Sequence, residues 1–352
     1  MQELPLHVLY GNYIKMYSFK NDYSELGHKD IFNALSKLSK EQQDGYGLDK
    51  ISAEAKELIK KRFALKNADI HFLSGGTQTN LIFINSALSS IEAVIAADSG
   101  HICTHECGAI EHNGNKVLLA PNKDGKLLPS DIEEIYKAHS DEHMVKPKLV
   151  FISQSTEKGT VYSKKELKDL FDICKKLKLY LYVDGARLGA ALTSAGMDIK
   201  PEDMAALCDA FYIGGTKNGS PIGEAICIIN EHLKKDFRYY LKQHGALLAK
   251  GGLIGCCFKT LFDGDLFFDL AKHANSMAQK LTKAFIEKGY KMSTNSPTNQ
   301  IFPILPNKKI SQLQKHFDFY IWEKVDICNT MIRLVCSWAT NKNEVEKLIK
   351  IL

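Results

Sequence analysis

The chain has 352 residues, of which 45% are hydrophobic and 25% charged, with 24 Gly and 9 Pro. That composition excludes collagen-like, coiled-coil and disordered chains, and the length allows two domains with a core that needs no metal or disulfide staple. Lys plus Arg exceeds Asp plus Glu by 46 to 41, and the basic residues are scattered, so neither nucleic acid nor a membrane is an expected partner.

The N-terminus, MQELPLHVLYGNYIKMYSFKND, lacks a basic segment followed by a clean apolar run, so no signal peptide is read there. No stretch approaches the length of a membrane span. Short apolar runs and helix-length amphipathic segments then alternate. Strands are predicted at 91–97, 117–120 and 148–152, followed by a helix over 164–176 with Leu167, Leu170, Phe171 and Cys174 on one face. Further strands follow at 179–183, 210–213 and 225–229. This alternation implies right-handed βαβ crossovers and a mostly parallel or mixed sheet. Beyond residue 250 the pattern changes to a long helix over 265–288, a strand at 301–305, a helix over 310–322, a strand at 331–336 and a last helix at 343–351. The expected organisation is an N-terminal segment 1–44, a large α/β domain 45–250 and a small α+β domain 251–352. Most of the nine cysteines lie in apolar runs such as AICII and IRLVCSW, which suits free thiols in a reducing compartment; the expected location is cytoplasmic.

Ligands of open α/β sheets bind at the C-terminal ends of strands, so the residues after each apolar run carry the chemistry. Ser74-Gly75-Gly76-Thr77 precedes an apolar helical run, and small residues at a helix start expose backbone N–H groups to an anion; the alternative is a Gly-rich turn capped by Ser74 or Thr77. His101, Cys103, His105 and Cys107 alternate as metal ligands do on a strand, but Gly100 and Gly108 bracket them and helical spacing scatters them, so no metal is expected. Asp184 follows an apolar strand directly, where a carboxylate can pair with a charged ring nitrogen, and Arg187 can hold an anion or that Asp; the alternative is an Asx-turn with a surface Arg. Lys217 stands in GGTKNG between two strands, and so many glycines point to close backbone approach and to a lysine fit for covalent attachment. An anion cradle, an Asp and a Lys in that order match the phosphate, ring nitrogen and aldehyde of pyridoxal 5'-phosphate.

With these motifs the chain resembles the fold-type-I pyridoxal-phosphate enzymes of aspartate-aminotransferase-like fold, and within them the low-specificity L-threonine aldolase and β-eliminating lyase group. The resemblance covers about residues 18–340. It implies a large mixed-sheet α/β domain with a smaller α+β C-terminal domain. It makes Ser74, Gly75, Gly76 and Thr77 the phosphate loop, Asp184 the partner of the ring nitrogen, and Lys217 the lysine that carries the cofactor. Arg187 is placed with the cofactor, and His101 stacks on the ring. Arg333 in IRLV matches the arginine that grips the substrate carboxylate, and Tyr46 in QDGYG a loop at the subunit interface. Asn21 stands where the family has Ser, Lys250 in QHGALLAKGG (243–252) where it has an Arg-Gln pair, and His143 matches its His before the third strand. The implied activity is a lyase reaction that cleaves a β-hydroxy-α-amino acid such as threonine to glycine and an aldehyde, with His101 or His143 serving the hydroxyl. β-Elimination, racemisation, transamination and a non-catalytic scaffold are the other readings. The resemblance also implies a homo-oligomer, a dimer or a homotetramer built as a dimer of dimers, with each site drawn from two chains.

Overall fold

The computed structural model describes residues 16–352; residues 1–15, which hold most of the stretch inspected above for a signal peptide, lie outside the described residues. A seven-stranded sheet dominates, in the order Asp69–Leu73, Glu224–Ile228, Ala210–Gly214, Tyr180–Asp184, Lys146–Ser153, Glu92–Ala97, Lys116–Ala120. Glu224–Ile228 runs antiparallel to both its neighbours, and the other pairings are parallel.

The apolar runs of the central strands exist because both faces are covered. Val150, Ile152, Leu181, Val183, Phe211 and Ile213 enter one core, and their alternating neighbours Leu149, Phe151, Tyr182, Ala210 and Tyr212 enter the other. That period of two places a helix layer on each side. Lys50–Arg62 and Lys164–Lys176 pack into the first core, and Gly76–Ala87 and Phe237–Gln243 into the second. Gly252–Phe262, although it follows residue 250, packs against Lys50–Arg62 and into the first core. Ser163 caps Lys164–Lys176: its hydroxyl accepts from the Glu166 N–H, and the Glu166 carboxylate accepts from the Ser163 N–H.

After the long helix Leu266–Glu287, a smaller sheet forms around Asn329–Val335, which pairs antiparallel with Gln300–Ile301, Pro303–Pro306 and Tyr320–Lys324. It packs on that helix and on Lys342–Ile351 through Phe285, Leu305, Ile332, Leu334 and Leu348. Phe19, beside the short strand Tyr17–Ser18, joins this core.

The structure corrects one predicted element. The helix expected over 310–322 ends at Leu313, within Asn307–Leu313, and the chain continues as strands Phe317–Asp318 and Tyr320–Lys324. Ile310, Leu313 and Phe317 have helical spacing, which carries the pattern too far. Phe317 and Phe319 are both buried, an alternation of two, and the β-favouring Tyr320 and Ile321 pair with the central strand instead, with Trp322 at an irregularity in that pairing. All nine cysteines are unpaired, and among the described residues no helix is long and apolar enough to cross a membrane.

Candidate active site

Six chain segments meet at one edge of the large sheet. Five follow the C-terminal ends of Asp69–Leu73, Glu92–Ala97, Lys146–Ser153, Tyr180–Asp184 and Ala210–Gly214; the sixth is the start of the antiparallel Glu224–Ile228. They wall a cavity of about 620 Å³, closed on the other side by Arg333 and its neighbours from the small sheet. Two glycines let the strand ends come this close: a Cβ on Gly185 would run into the Tyr212 carbonyl, and one on Gly214 into the Ala186 carbonyl.

Ser74, Gly75, Gly76 and Thr77 border this cavity, and Gly76 opens a helix of 12 residues. The first intrahelical bond runs from the Thr79 N–H to the Gly75 carbonyl at 3.0 Å, so the N–H groups of Gly76, Thr77 and Gln78 precede it and carry the positive end of the helix dipole. The Ser74 N–H and hydroxyl both donate to Gln78 Oε1, at 3.1 and 2.9 Å, which pins the turn. A Cβ at Gly76 would stand 2.9 Å from the Tyr212 hydroxyl, so the small residue keeps this corner open.

Asp184 ends the central strand with both oxygens engaged: Oδ1 accepts from the Ala186 N–H at 2.9 Å and Oδ2 from the Asn80 amide at 3.0 Å. The same amide donates to Glu106 Oε1 at 2.7 Å, and that oxygen also meets His101 Nδ1 at 2.8 Å. The Tyr182 hydroxyl donates to Asn80 Oδ1 at 3.0 Å and fixes which way the amide faces. Burial pushes the Glu106 carboxyl above the usual range, against the pull of His101 and Asn80.

Lys217 follows the strand Ala210–Gly214. The turn before it is held by Glu224, whose oxygens accept from the Gly215 N–H and the Thr216 hydroxyl, each at 2.7 Å. Burial, and after it the Arg187 guanidinium, hold the Lys217 ammonium below its ordinary pKa and so favour the free amine. Burial likewise raises Glu224 to about 7. Arg187 donates from two nitrogens to Asp22, at 2.7 and 3.0 Å. Asp22 also accepts from Asn299 at 2.9 Å. Burial works upward on the Asp22 carboxyl, but Arg187 and Lys217 together hold it below the usual range. Of the two sequence options for Arg187, an anion or Asp184, the fold supplies a third partner.

Arg333 reaches the cavity from Asn329–Val335. Tyr320 and Trp322 on the paired strand flank its guanidinium carbon, with ring centroids at 5.0 and 4.5 Å. Its Nε is buried without a partner, and burial, then Arg187, lower the group to about 10. A planar cation held between aromatic faces with an unpartnered donor fits a carboxylate.

Other expected residues do not reach the cavity. His143 is exposed in the turn before Lys146–Ser153, at the wrong end of an eight-residue strand. At about 3.3 Å per residue it stands roughly 25 Å from the edge that carries the site. Asn21 accepts from the Tyr23 N–H and the Ser24 hydroxyl, at 3.0 and 2.9 Å, and it is Tyr23 that borders the cavity. Tyr46 and Lys250 are exposed and outside it, on loops joined by the Tyr46 N–H to the Ala249 carbonyl at 3.3 Å. The alternating His and Cys residues diverge: His101 meets Glu106, Cys103 donates to the Ala97 carbonyl at 3.2 Å, His105 borders the cavity and Cys107 is exposed. Asn80, Asp22, Glu106, Glu157, Glu224, Tyr320 and Trp322 were missed in the sequence. Glu106 lies five residues after His101 and Asp22 next to Asn21; the aromatic pair was hidden by the overextended helix.

A family model described as beta-eliminating lyase matches residues 26–307. Low specificity L-threonine aldolases of Pseudomonas aeruginosa and of a further Pseudomonas strain are 32% and 33% identical to the chain, each alignment covering 91% of it and 92% of the relative. The solved structure of a Leishmania major threonine aldolase superposes with a TM-score of 0.94 at 46% identity, over 95% of this chain and 98% of that one. Thermus thermophilus aspartate aminotransferase shares the fold, with a TM-score of 0.71 at 14% identity over 96% of this chain and 90% of that one.

Proposed function

This chain belongs to the beta-eliminating lyase family, and from that premise we propose that it is a pyridoxal-phosphate-dependent lyase that splits the Cα–Cβ bond of threonine and related β-hydroxy-α-amino acids, giving glycine and an aldehyde. One observation carries the reading: an open helix N-terminus, Asp184, Lys217 and an unpartnered Arg333 border the same cavity.

The residues fit the cofactor. The N–H groups of the Ser74–Thr77 turn suit its phosphate, Asp184 suits a protonated ring nitrogen, the His101 ring suits its face, and the Lys217 amine suits its aldehyde. Bound there, the group supplies an electron-withdrawing ring that makes Cα–Cβ cleavage accessible at neutral pH. The chain does the rest. Arg333 grips the α-carboxylate and so sets which bond at Cα stands across the ring. Asp184, held by Ala186 and Asn80, keeps a proton on the ring nitrogen. Glu106 orients His101 through Nδ1, and burial of the Lys217 ammonium favours its free amine.

The test is direct. Protein loaded with cofactor and given L-threonine or L-allo-threonine is expected to release acetaldehyde and glycine in equal amounts. Ammonia and a 2-oxo acid in their place would assign elimination and overturn the reading.

We further propose a homo-oligomer, at least a dimer, in which Tyr46 and Lys250 serve the partner's cavity. Both are exposed, their loops touch, and Leu48 and Leu253 beside them are exposed apolar residues. Lys250 would then bring positive charge to the phosphate from outside its own chain's cavity. Light scattering is expected to find no monomer at working concentration; a monodisperse, active monomer would refute the shared site.

A further inference from the structure

We propose that Glu157 is the general base that takes the proton from the substrate's β-hydroxyl; the inference rests on the lyase reading above. The acidic groups at the cavity differ in what their oxygens meet. Asp184 has both oxygens engaged, by Ala186 and Asn80. Glu224 has both engaged, by Gly215 and Thr216. The Glu106 side chain is fully covered and lies behind His101 rather than on the cavity wall. Glu157 borders the cavity, and its two hydrogen bonds fall on one oxygen: Oε1 accepts from the His101 N–H at 3.0 Å and from the Ser153 hydroxyl at 2.6 Å. One oxygen anchors the carboxylate and the other is left to face a ligand, the arrangement a proton acceptor needs.

Position agrees with this. Glu157 follows Lys146–Ser153, the strand next to the one that ends in Asp184, and anchors to the backbone of His101, the residue suited to the ring face. Ser155, two residues earlier, is buried with an unpartnered hydroxyl at the same wall. Burial raises the Glu157 carboxyl above its usual range, against the pull of the Ser153 hydroxyl, and so strengthens it as a base. The charged or titratable groups around it are Asp184, His101, Arg187, Tyr162 and Cys103.

The step balances without an oxidant. The hydroxyl proton moves to Glu157 Oε2, the O–H electron pair becomes the second bond of the aldehyde carbonyl, and the Cα–Cβ pair passes to Cα. Solvent supplies the proton that completes glycine, and Glu157 returns its own to solvent.

Glu157→Gln in the cofactor-loaded enzyme is expected to lower kcat for threonine cleavage on the order of 100-fold or more. KM should change little, and exchange of the glycine α-hydrogen with deuterated water, which needs no base at the β-carbon, should continue. Difference infrared spectra between acid and neutral pH should lose a carboxyl band in the variant, a readout independent of turnover. Glu157→Asp keeps the carboxylate one methylene short and is expected to recover part of kcat; it also serves if the Gln variant does not fold. In the wild type kcat rises with pH as Glu157 ionises, and this acid limb should vanish in Glu157→Gln.

Near-normal cleavage in Glu157→Gln overturns the proposal. So does equal loss of cleavage and glycine exchange, which places the defect elsewhere. His105, packed edge-on to His101 at 5.5 Å, is the competing base, and a larger kcat loss in His105→Asn than in Glu157→Gln would transfer the role to it. A wild-type enzyme that exchanges glycine but leaves threonine intact would instead overturn the lyase reading.

Discussion

Replacing Lys217 by alanine is expected to abolish turnover, with a loss on the order of 10⁴-fold or more, and to remove covalent cofactor altogether. The position admits no substitute. Lys217 stands after a strand end whose turn Glu224 holds at Gly215 and Thr216, so its amine is delivered to one place in the cavity. Burial and Arg187 depress its ammonium, which a surface lysine would not experience. Reduction with borohydride followed by mass spectrometry of the intact chain gives the readout. The wild type should gain the reduced cofactor at one site and Lys217→Ala none, although the variant still binds it non-covalently through the Ser74–Thr77 turn. A variant that remained covalently labelled would move the role to another lysine. Loss of folding does not explain the expected result, because removing a desolvated polar group relieves a burial cost, so the thermal midpoint should not fall steeply.

Arg333→Ala carries the second largest effect. A bidentate contact to the α-carboxylate is lost and a charged group is left unpaired in a partly dry site, which costs about 2–5 kcal/mol, or tens to thousands of fold in kcat/KM. The structure sharpens this. Tyr320 and Trp322, both on the paired strand Tyr320–Lys324, set their ring centroids 5.0 and 4.5 Å from the guanidinium carbon, and its Nε has no protein partner to satisfy it. Arg333→Lys should restore only part of the loss, since a point charge neither stacks as a plane nor offers a fork of donors. Steady-state kinetics with threonine, together with equilibrium binding of glycine, check both variants. Unchanged glycine affinity in Arg333→Ala would show that the carboxylate is bound elsewhere.

Much of this was legible one residue at a time. The runs ending at Asp184 and before Lys217 are apolar because helix layers cover both faces of their strands, and an apolar run is readable without knowing its neighbours; Asp69–Leu73, with Asp69 exposed and His71 half-buried, carries no such run and was not read as a strand. Parallel strands put their C-terminal ends on a shared edge, so the residues after the runs had to meet there. The tertiary structure decided what the local pattern does not encode, namely who faces whom. Asp22 reaches Arg187 across 165 positions, and Asn80 reaches Asp184 across 104. His143 stood in sequence near the strand Lys146–Ser153 yet on the edge away from the site, because a strand separates its two ends by its full length.

What the sequence determined by itself was therefore the alternation of strands and helices through the middle of the chain, the Gly-bracketed lysine, the strand-end Asp and the small-residue helix start, since each depends on the period and chemistry of a few adjacent residues. What only the fold decided was the set of partners: the aromatic flanks of Arg333, the Asn80 amide shared by Asp184 and Glu106, and the half-engaged carboxylate of Glu157. Those partners come from different crossovers, and a hydrogen bond or a ring contact is fixed by a few ångströms of packing that no periodicity in the chain records.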